Sequence, residues 1–248
     1  MFAKRYDIFM IQFTIDDFLG GRVKLKQPKV GYRATSDAIL VAAAVDAKPH
    51  DSVLDVGCGT GIVGLSIAAR VSDIYVTGLE IQTQLAALAR ENAILNGCQM
   101  DIVEGNLTDK IGDLHGMLFN HVVTNPPFYT ETPARAHPQV QVAYQQSVPL
   151  VKWIDFCVKH VRAKGTFTII HRTESVPEIL TALNGRLGAL KLMPIYSKVG
   201  QPPKRIIIQG ILGSRKPFVM HPGIVIHEAD DTPTTAAENI WRHGAMFK

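Results

Sequence analysis

The stretch from Val53 to Val71 constrains the fold of this chain more than any other. Val53-Leu54-Asp55-Val56 reads as a buried strand, residues 55–61 spell Asp-Val-Gly-Cys-Gly-Thr-Gly, and residues 62–71 carry apolar side chains at helical spacing. Gly57, Gly59 and Gly61 therefore occupy a strand-to-helix turn, where the backbone can approach a ligand closely. The rest of the chain alternates in the same way. Strands are predicted near residues 52–56, 74–80, 101–104, 121–124, 166–171, 191–196 and 204–212, with helices separating the first six and a short turn at 200–203 before the last. That pattern predicts an α/β, Rossmann-like fold: a mostly parallel seven-stranded sheet with an antiparallel hairpin at its far edge. A basic hairpin and an alanine-rich helix over 36–46, capped by Thr35 or Ser36, form a small N-terminal extension. The expected organisation is one domain over 1–248, with the extension at 1–50, the core at 51–212 and a C-terminal extension at 213–248. Residues 236–241 are expected to form a helix that docks or dimerises.

The glycine spacing narrows the ligand. A dinucleotide fingerprint has its third glycine three positions after the second; that position is Ile62, and the glycine comes one early, at Gly61. The carboxylate of Asp55 would repel a pyrophosphate, whereas it can hold a cationic amino group. S-adenosylmethionine, with an ammonium and a sulfonium, fits that requirement. The strand over 74–80 ends at Glu80, about 20 residues beyond the loop, the distance at which a carboxylate reaches ribose hydroxyls. Glu80 also stands at the start of a predicted helix over 82–96, and both roles suit one residue. After the strand at 101–104, Asn106 can accept a hydrogen bond from an adenine amine through its amide oxygen, with Asp109 as the alternative acceptor. Cys58, inside the glycine loop, is read as a small side chain in a tight turn and not as a nucleophile.

Asn125-Pro126-Pro127-Phe128 follows the apolar run 119–124. Two prolines cannot donate to a sheet ladder, so this tetrapeptide leaves its strand in a rigid turn at the carboxyl end, where open α/β sheets bind ligands. It presents an amide side chain, a backbone carbonyl and an aromatic face to one crevice. These groups suit a planar amide or a nucleobase amine. Taken alone, Asn125 could cap its own turn and Phe128 could be a core ring. The long segment after it, 129–148, is a candidate lid or substrate clamp.

An apolar share of 46% and a charged share of 19% exclude a disordered chain. Three cysteines without paired spacing point to a reducing cytoplasm and no zinc site, and no segment has signal-peptide or membrane-spanning length. The net charge of +4 is mild, but Arg22, Lys24, Lys26, Lys29 and Arg33 crowd the hairpin, interrupted by Tyr32. Its outer face is a candidate phosphate-contacting surface or a lysine-protected strand edge. A second basic group comprises Lys198, Lys204, Arg205, Arg215 and Lys216. His171 and His227, at strand ends, are expected to be satisfied structural imidazoles.

Residues 55–61, the downstream Glu80 and the Asn-Pro-Pro-Phe turn resemble, in order and spacing, the class I S-adenosylmethionine-dependent methyltransferases that modify exocyclic amino or amide nitrogens. FLGGRVKLKQPKVGYRATSDAILVAAAV, residues 18–45, is similar to the opening of bacterial valine-tRNA adenine-N6 methyltransferases, and the likeness continues through GTFTIIHR at 165–172 and RIIIQGIL at 205–212. Members more often carry Tyr at the place of Phe128 and end soon after Asp230. The resemblance implies a class I methyltransferase fold, tRNA as partner, and methylation of N6 on an adenine at position 37 of a valine tRNA. It implies catalysis by Asn125, Pro126, Pro127 and Phe128. It implies cofactor contacts by Thr35, Asp37, Asp55, Gly57, Cys58, Gly59, Thr60, Gly61, Glu80, Ile81, Asn106, Leu107 and Asn125. Lys24, Lys26, Tyr32, Arg33, Tyr129 and Arg135 would meet the RNA. The protein would act in the cytoplasm without a metal, as a monomer or weak homodimer. Alternatives are a ribosomal RNA guanine-N2 methyltransferase, a release-factor glutamine methyltransferase and a noncatalytic cofactor-binding protein.

Overall fold

The computed structural model describes residues 12–128 and 148–247. Strands β1 (Phe13–Phe18) and β2 (Val23–Pro28) form the expected antiparallel hairpin around a 3-10 turn at Leu19–Gly21. On β2, Val23, Leu25 and Gln27 are buried and Lys24 is exposed, the alternation a half-covered strand requires. Helix α1 (Ser36–Ala43) follows, with six of its apolar residues buried.

The main sheet comprises β3 (Ser52–Val56), β4 (Tyr75–Glu80), β5 (Met100–Glu104), β6 (Phe119–Thr124), β7 (Val161–Arg172), β8 (Leu187–Lys198), β9 (Arg205–Leu212), β10 (Val219–Met220) and β11 (Ile224–His227). Its order is β10-β8-β9-β7-β6-β3-β4-β5, with β11 also paired to β8. Helices α2 (Ile62–Ala68), α3 (Thr83–Leu95), α4 (Leu150–Lys159), α5 (Val176–Leu183) and α6 (Thr235–His243) cover the two faces. Alternate residues of each strand feed alternate cores: Val53, Val123, Ile170 and Ile207 pack on the face of α1, α2 and α6, and Leu54, Val122, Ile169 and Ile208 on the face of α4 and α5. Burial on both sides explains why these strands read as continuous apolar runs.

The expected antiparallel hairpin is β8–β9, with β9 lying between β7 and β8 and antiparallel to both. Two features depart from the expected architecture. Among the described residues the sheet has nine strands, not seven, because β8 is twelve residues long and its outer edge is paired by two short parallel strands of the C-terminal segment. Between β5 and β6 the described residues form only a 3-10 turn, Gly112–Leu114, and no α-helix. That stretch contains Gly105, Gly112 and Gly116, and the amide of Asn106 turns the chain by accepting from Thr108 N at 3.0 Å, so the local chemistry favours turns over helical bonds.

The C-terminal helix docks on its own chain. Thr234 caps α6 by accepting from Ala237 N at 3.1 Å, Ala237 and Ile240 are buried, and Phe247 N reaches Ala43 O at 3.2 Å. A Cβ on Gly20 would stand 2.8 Å from Arg242 O, so the hairpin turn must be glycine for this helix to sit against it. No helix of the described residues is long and apolar enough to cross a membrane.

Candidate functional site

Parallel register brings the sequence motifs together. Val56 pairs with Leu79 on one side and Thr124 on the other, so the glycine loop, Glu80 and Asn125 all leave the sheet at one level, on its carboxyl edge. Gly57, Gly59 and Gly61 have φ of +73°, +58° and +91°, values that a side chain strains to adopt. Space forbids a side chain as well. A Cβ on Gly57 would lie 2.9 Å from the Trp153 ring, and one on Gly59 would collide with Tyr32.

The loop is held by its neighbours. Gly57 N and Cys58 N both donate to Leu79 O, at 2.8 and 3.0 Å. Gly59 N donates to Glu80 Oε2 at 2.8 Å, and Gln82 N donates to Oε1 of the same carboxylate at 2.9 Å. Gly64 N donates to Asp55 Oδ2 at 3.2 Å. The peptide between Thr60 and Gly61 is fixed at both ends: Gly61 N donates to Cys58 O at 2.9 Å, and Thr60 O accepts from Asn92 Nδ2 at 3.0 Å. Asn92 also bonds both backbone groups of Lys26, at 2.7 and 2.9 Å, which ties the hairpin to the loop.

Two carboxyl groups are buried here with no cationic side chain paired to either among the described residues. Asp55 is 1% exposed and its pKa is raised to about 7, by burial first and by the charge of Glu80 as well, against the bond from Gly64. Burial likewise raises Glu80, although the amides of Gln82, Gly59 and Ile81 favour its ionised form. Two desolvated acids beside a tight glycine turn suit a ligand that brings positive charge and hydroxyl donors, which is the chemistry of S-adenosylmethionine. Cys58 is buried and its thiol is pushed well up by burial and by both acids, so it is a small group wedged against Gly78 and a poor nucleophile.

Trp153 joins the loop to the reactive turn. Its Nε1 donates to Thr124 Oγ1 at 2.8 Å, and Thr124 Oγ1 donates to Val56 O at 2.8 Å. Beyond Thr124, the side-chain oxygen of Asn125 is buried without a hydrogen-bond partner among the described residues. Phe128 meets His171 edge-on, with centroids 4.9 Å apart at 75°. The guanidinium of Arg205 lies over the Phe128 ring at 4.7 Å.

The remaining expected site residues have neighbours of their own. Asp37 is bonded to Arg205 Nε at 2.9 Å, while Thr35 at the start of α1 is exposed. Asn106 spends its amide oxygen on Thr108, and Leu107 is half-buried against the core under α4. Ile81 is half-buried beside the loop. Tyr32 is not on the hairpin's outer face: it packs against Gly59, its hydroxyl pKa raised by burial and by Glu80 and Asp55. Three of the five hairpin cations have acidic partners, Lys24 with Asp17 at 3.0 Å, Lys26 with Glu91 of α3 at 2.7 Å and Arg33 with Asp16 at 2.7 Å. Arg22 and Lys29 donate to uncharged oxygens, of Leu19 and Gln12, so the face is only partly neutralised. His171, expected to be satisfied, has a buried Nδ1 without a partner among the described residues. Tyr129 and Arg135 lie outside the described residues. Thr124, Trp153, Asn92 and Gly78 join the site without a signal of their own, whereas His171 is flagged by its place at a strand end and Arg205 by its basic group.

Comparison with known proteins agrees with this geometry. The model of the methyltransferase small domain matches residues 35–182. A tRNA1(Val) (adenine(37)-N6)-methyltransferase of Haemophilus influenzae is 23% identical over 230 residues, 92% of this chain and 95% of that one. The protein of the same name from Bacteroides thetaiotaomicron is 27% identical over 183 residues, 73% and 77% of the two chains. A crystal structure described as a predicted O-methyltransferase from Agrobacterium tumefaciens superposes with a TM-score of 0.69 at 25% identity, covering 85% of this chain and 98% of that one. With a class I methyltransferase sheet, a glycine loop flanked by buried acids and a match spanning more than half its length, the chain belongs to the methyltransferase small domain family.

Proposed function

We propose that this protein methylates the exocyclic N6 amine of an adenine in tRNA, with adenine 37 of a valine tRNA as the acceptor. The observation that carries the reading is the buried Oδ1 of Asn125, without a partner among the described residues and one residue past the point where β6 aligns with the glycine loop. A buried acceptor without a donor is costly, so the site is built for a ligand that supplies one. The names of the relatives specify which amine.

Bound S-adenosylmethionine supplies the electrophilic methyl group. Asp55 would hold its ammonium, Glu80 its ribose hydroxyls through lone pairs left by the two amides, and the backbone of Gly57, Cys58, Gly59, Thr60 and Gly61 would line its path. Ile81 and Leu107 would flank the adenine, with Asn106 as a polar contact. An exocyclic amine is a weak nucleophile because its lone pair is delocalised into the ring. Asn125 Oδ1 and the Pro126 carbonyl would accept its two hydrogens, favouring a tetrahedral nitrogen, and those bonds strengthen as positive charge develops there. Pro127 holds the turn rigid and Phe128 offers a stacking face to a flipped base. Neither Asn125 nor a carbonyl is a strong base, so the proton leaves to water. A tRNA acceptor would put the work in the cytoplasm, and the chain would act as a monomer or weak homodimer.

The test is transfer of labelled methyl groups into tRNA from a strain lacking this gene, followed by nucleoside analysis. Label in N6-methyladenosine of valine tRNA is expected. Label in guanosine, or in a protein and no RNA, overturns the assignment.

A further inference from the structure

Arg205 begins β9 and pairs across the sheet with Arg172 at the end of β7, which brings it to the carboxyl edge beside the Asn-Pro-Pro-Phe turn. Its guanidinium has three engagements. Nε donates to Asp37 Oδ2 at 2.9 Å, Nη1 donates to Lys204 O at 3.3 Å, and Cζ lies 4.7 Å from the centroid of Phe128. The Asp37 side chain is 16% exposed and that of Arg205 30%, so the pair is largely withdrawn from solvent and screened less than a surface pair. His171 meets the ring edge at 75°. Among the described residues Arg205 thus occupies one face of Phe128 and His171 one edge, and the ring also packs on the core, which leaves the opposite face as the candidate stacking surface for a planar base. A cation behind the ring also draws its electron density backwards, which makes the open face a better partner for an electron-rich neutral base.

Resting on the functional reading above, we propose that Arg205, anchored by Asp37, is a positioning residue that sets the plane of Phe128 for the acceptor base, and that Asp37 serves this pair and not the cofactor. Asp37 stands at the start of α1, the first element after the hairpin. The pair therefore joins the N-terminal extension to the substrate side of the crevice. A ring held on one face and one edge cannot tilt freely, and small errors in the angle of approach of a nucleophile cost rate steeply.

The test compares Arg205→Gln, Asp37→Asn and Phe128→Ala, each checked for folding by thermal melting and for cofactor affinity by calorimetry. Expected for Arg205→Gln and Asp37→Asn is a fall in kcat of roughly tenfold or more, with cofactor Kd unchanged within about twofold and KM for tRNA within about threefold. In a Phe128→Ala background, Arg205→Gln should cost nothing further, because residues that act through one another are not additive. Arg205→Lys, which keeps the charge, serves as the variant if Gln does not fold, and should recover part of the lost kcat. A rise in KM with a shallower salt dependence and intact kcat would make Arg205 a phosphate contact and overturn the proposal. So would a tenfold loss of cofactor affinity in Asp37→Asn, or full additivity with Phe128→Ala. If the wild-type protein methylates no tRNA, the functional reading fails first; if it does and these variants match it, only this inference fails.

Discussion

The glycine loop and the Asn-Pro-Pro-Phe turn leave adjacent strands at the same level, yet they differ in how far the protein answers their polar groups. In the loop the backbone is answered by the protein: Leu79 O takes two amides, Glu80 another, Cys58 O and Asn92 fix a whole peptide, and the Thr60 hydroxyl is left without a partner among the described residues. In the turn it is the amide oxygen of Asn125 that is buried without a partner among the described residues. The loop backbone is a preformed cradle whose shape does not wait for the ligand, whereas the turn, on the function proposed above, keeps an acceptor for the substrate amine. A binding site gains by spending its ordering cost during folding, and a catalytic site gains by reserving bonds that strengthen in the transition state.

The most direct way to break this contrast is Asn125→Ala. Loss of about two to three orders of magnitude in kcat is expected, the scale seen when one charge-stabilising hydrogen-bond partner is removed, with cofactor affinity little changed. Single-turnover methylation beside calorimetric titration of the cofactor would check it; a variant with full turnover would show that the orphaned oxygen is incidental.

Gly59→Ala should do the reverse. Its Cβ meets Tyr32 and its φ is +58°, so the variant should bind cofactor at least tenfold more weakly and lose kcat only in proportion to occupancy. Equilibrium dialysis with and without tRNA separates the two effects. Unaltered affinity would mean that the loop backbone stands away from the ligand.

A pH titration sharpens the electrostatic side. The Asp55 carboxyl, raised to about 7, is partly protonated near neutrality, and a cationic ligand must ionise it. Cofactor affinity should therefore rise by roughly tenfold between pH 6 and 8, with proton release on binding below neutrality, and Asp55→Asn should flatten the profile. The same shift acts on stability. The folded protein holds this proton where the unfolded chain has lost it, so the unliganded protein should lose stability as pH rises from about 4 through 7. His171 works in the opposite sense: its pKa is lowered to about 4 by burial and by Arg172 and Arg205, so its contribution is lost as pH falls from about 6.5 to 4. Melting curves of His171→Gln should be flatter over that acid range.

The smallest effect is expected on the hairpin. Lys24→Ala and Lys26→Ala remove cations that already have acidic partners, so KM for tRNA should change by less than about threefold and stability by under about 1 kcal/mol. A large loss of tRNA affinity would restore the hairpin as an RNA surface.

Much of the fold was legible because buried parallel strands must be apolar on both faces, and this sheet has few half-exposed strands to confuse the pattern. The errors fell where local and tertiary signals part. The alternation of strands and helices predicts a helix between β5 and β6, where the glycines and Asn106 favour turns instead. The two extra strands were not foreseen because Val219–Met220 is too short to show a period, and what orders it is the long free edge of β8. At the site, Tyr32 and Asp37 have partners that lie far off in sequence. No local pattern shows that Tyr32 folds back on Gly59 or that Asp37 meets Arg205, 168 residues later.

The amino-acid sequence by itself determined which backbone conformations the motifs could adopt. Three glycines permit the positive φ of the loop, two prolines force the turn after β6, and alternating apolar runs commit the strands to a buried sheet. These are properties of single residues and near neighbours, so they survive without the rest of the molecule. The tertiary structure decided which polar atoms are satisfied and which are left open. Whether the hairpin lysines are free, whether Asp55 keeps its proton at neutrality and whether Asn125 waits for a donor all depend on distant partners and on the removal of water. Charge and hydrogen bonding take their strength from that surrounding medium, and only the packed fold creates it.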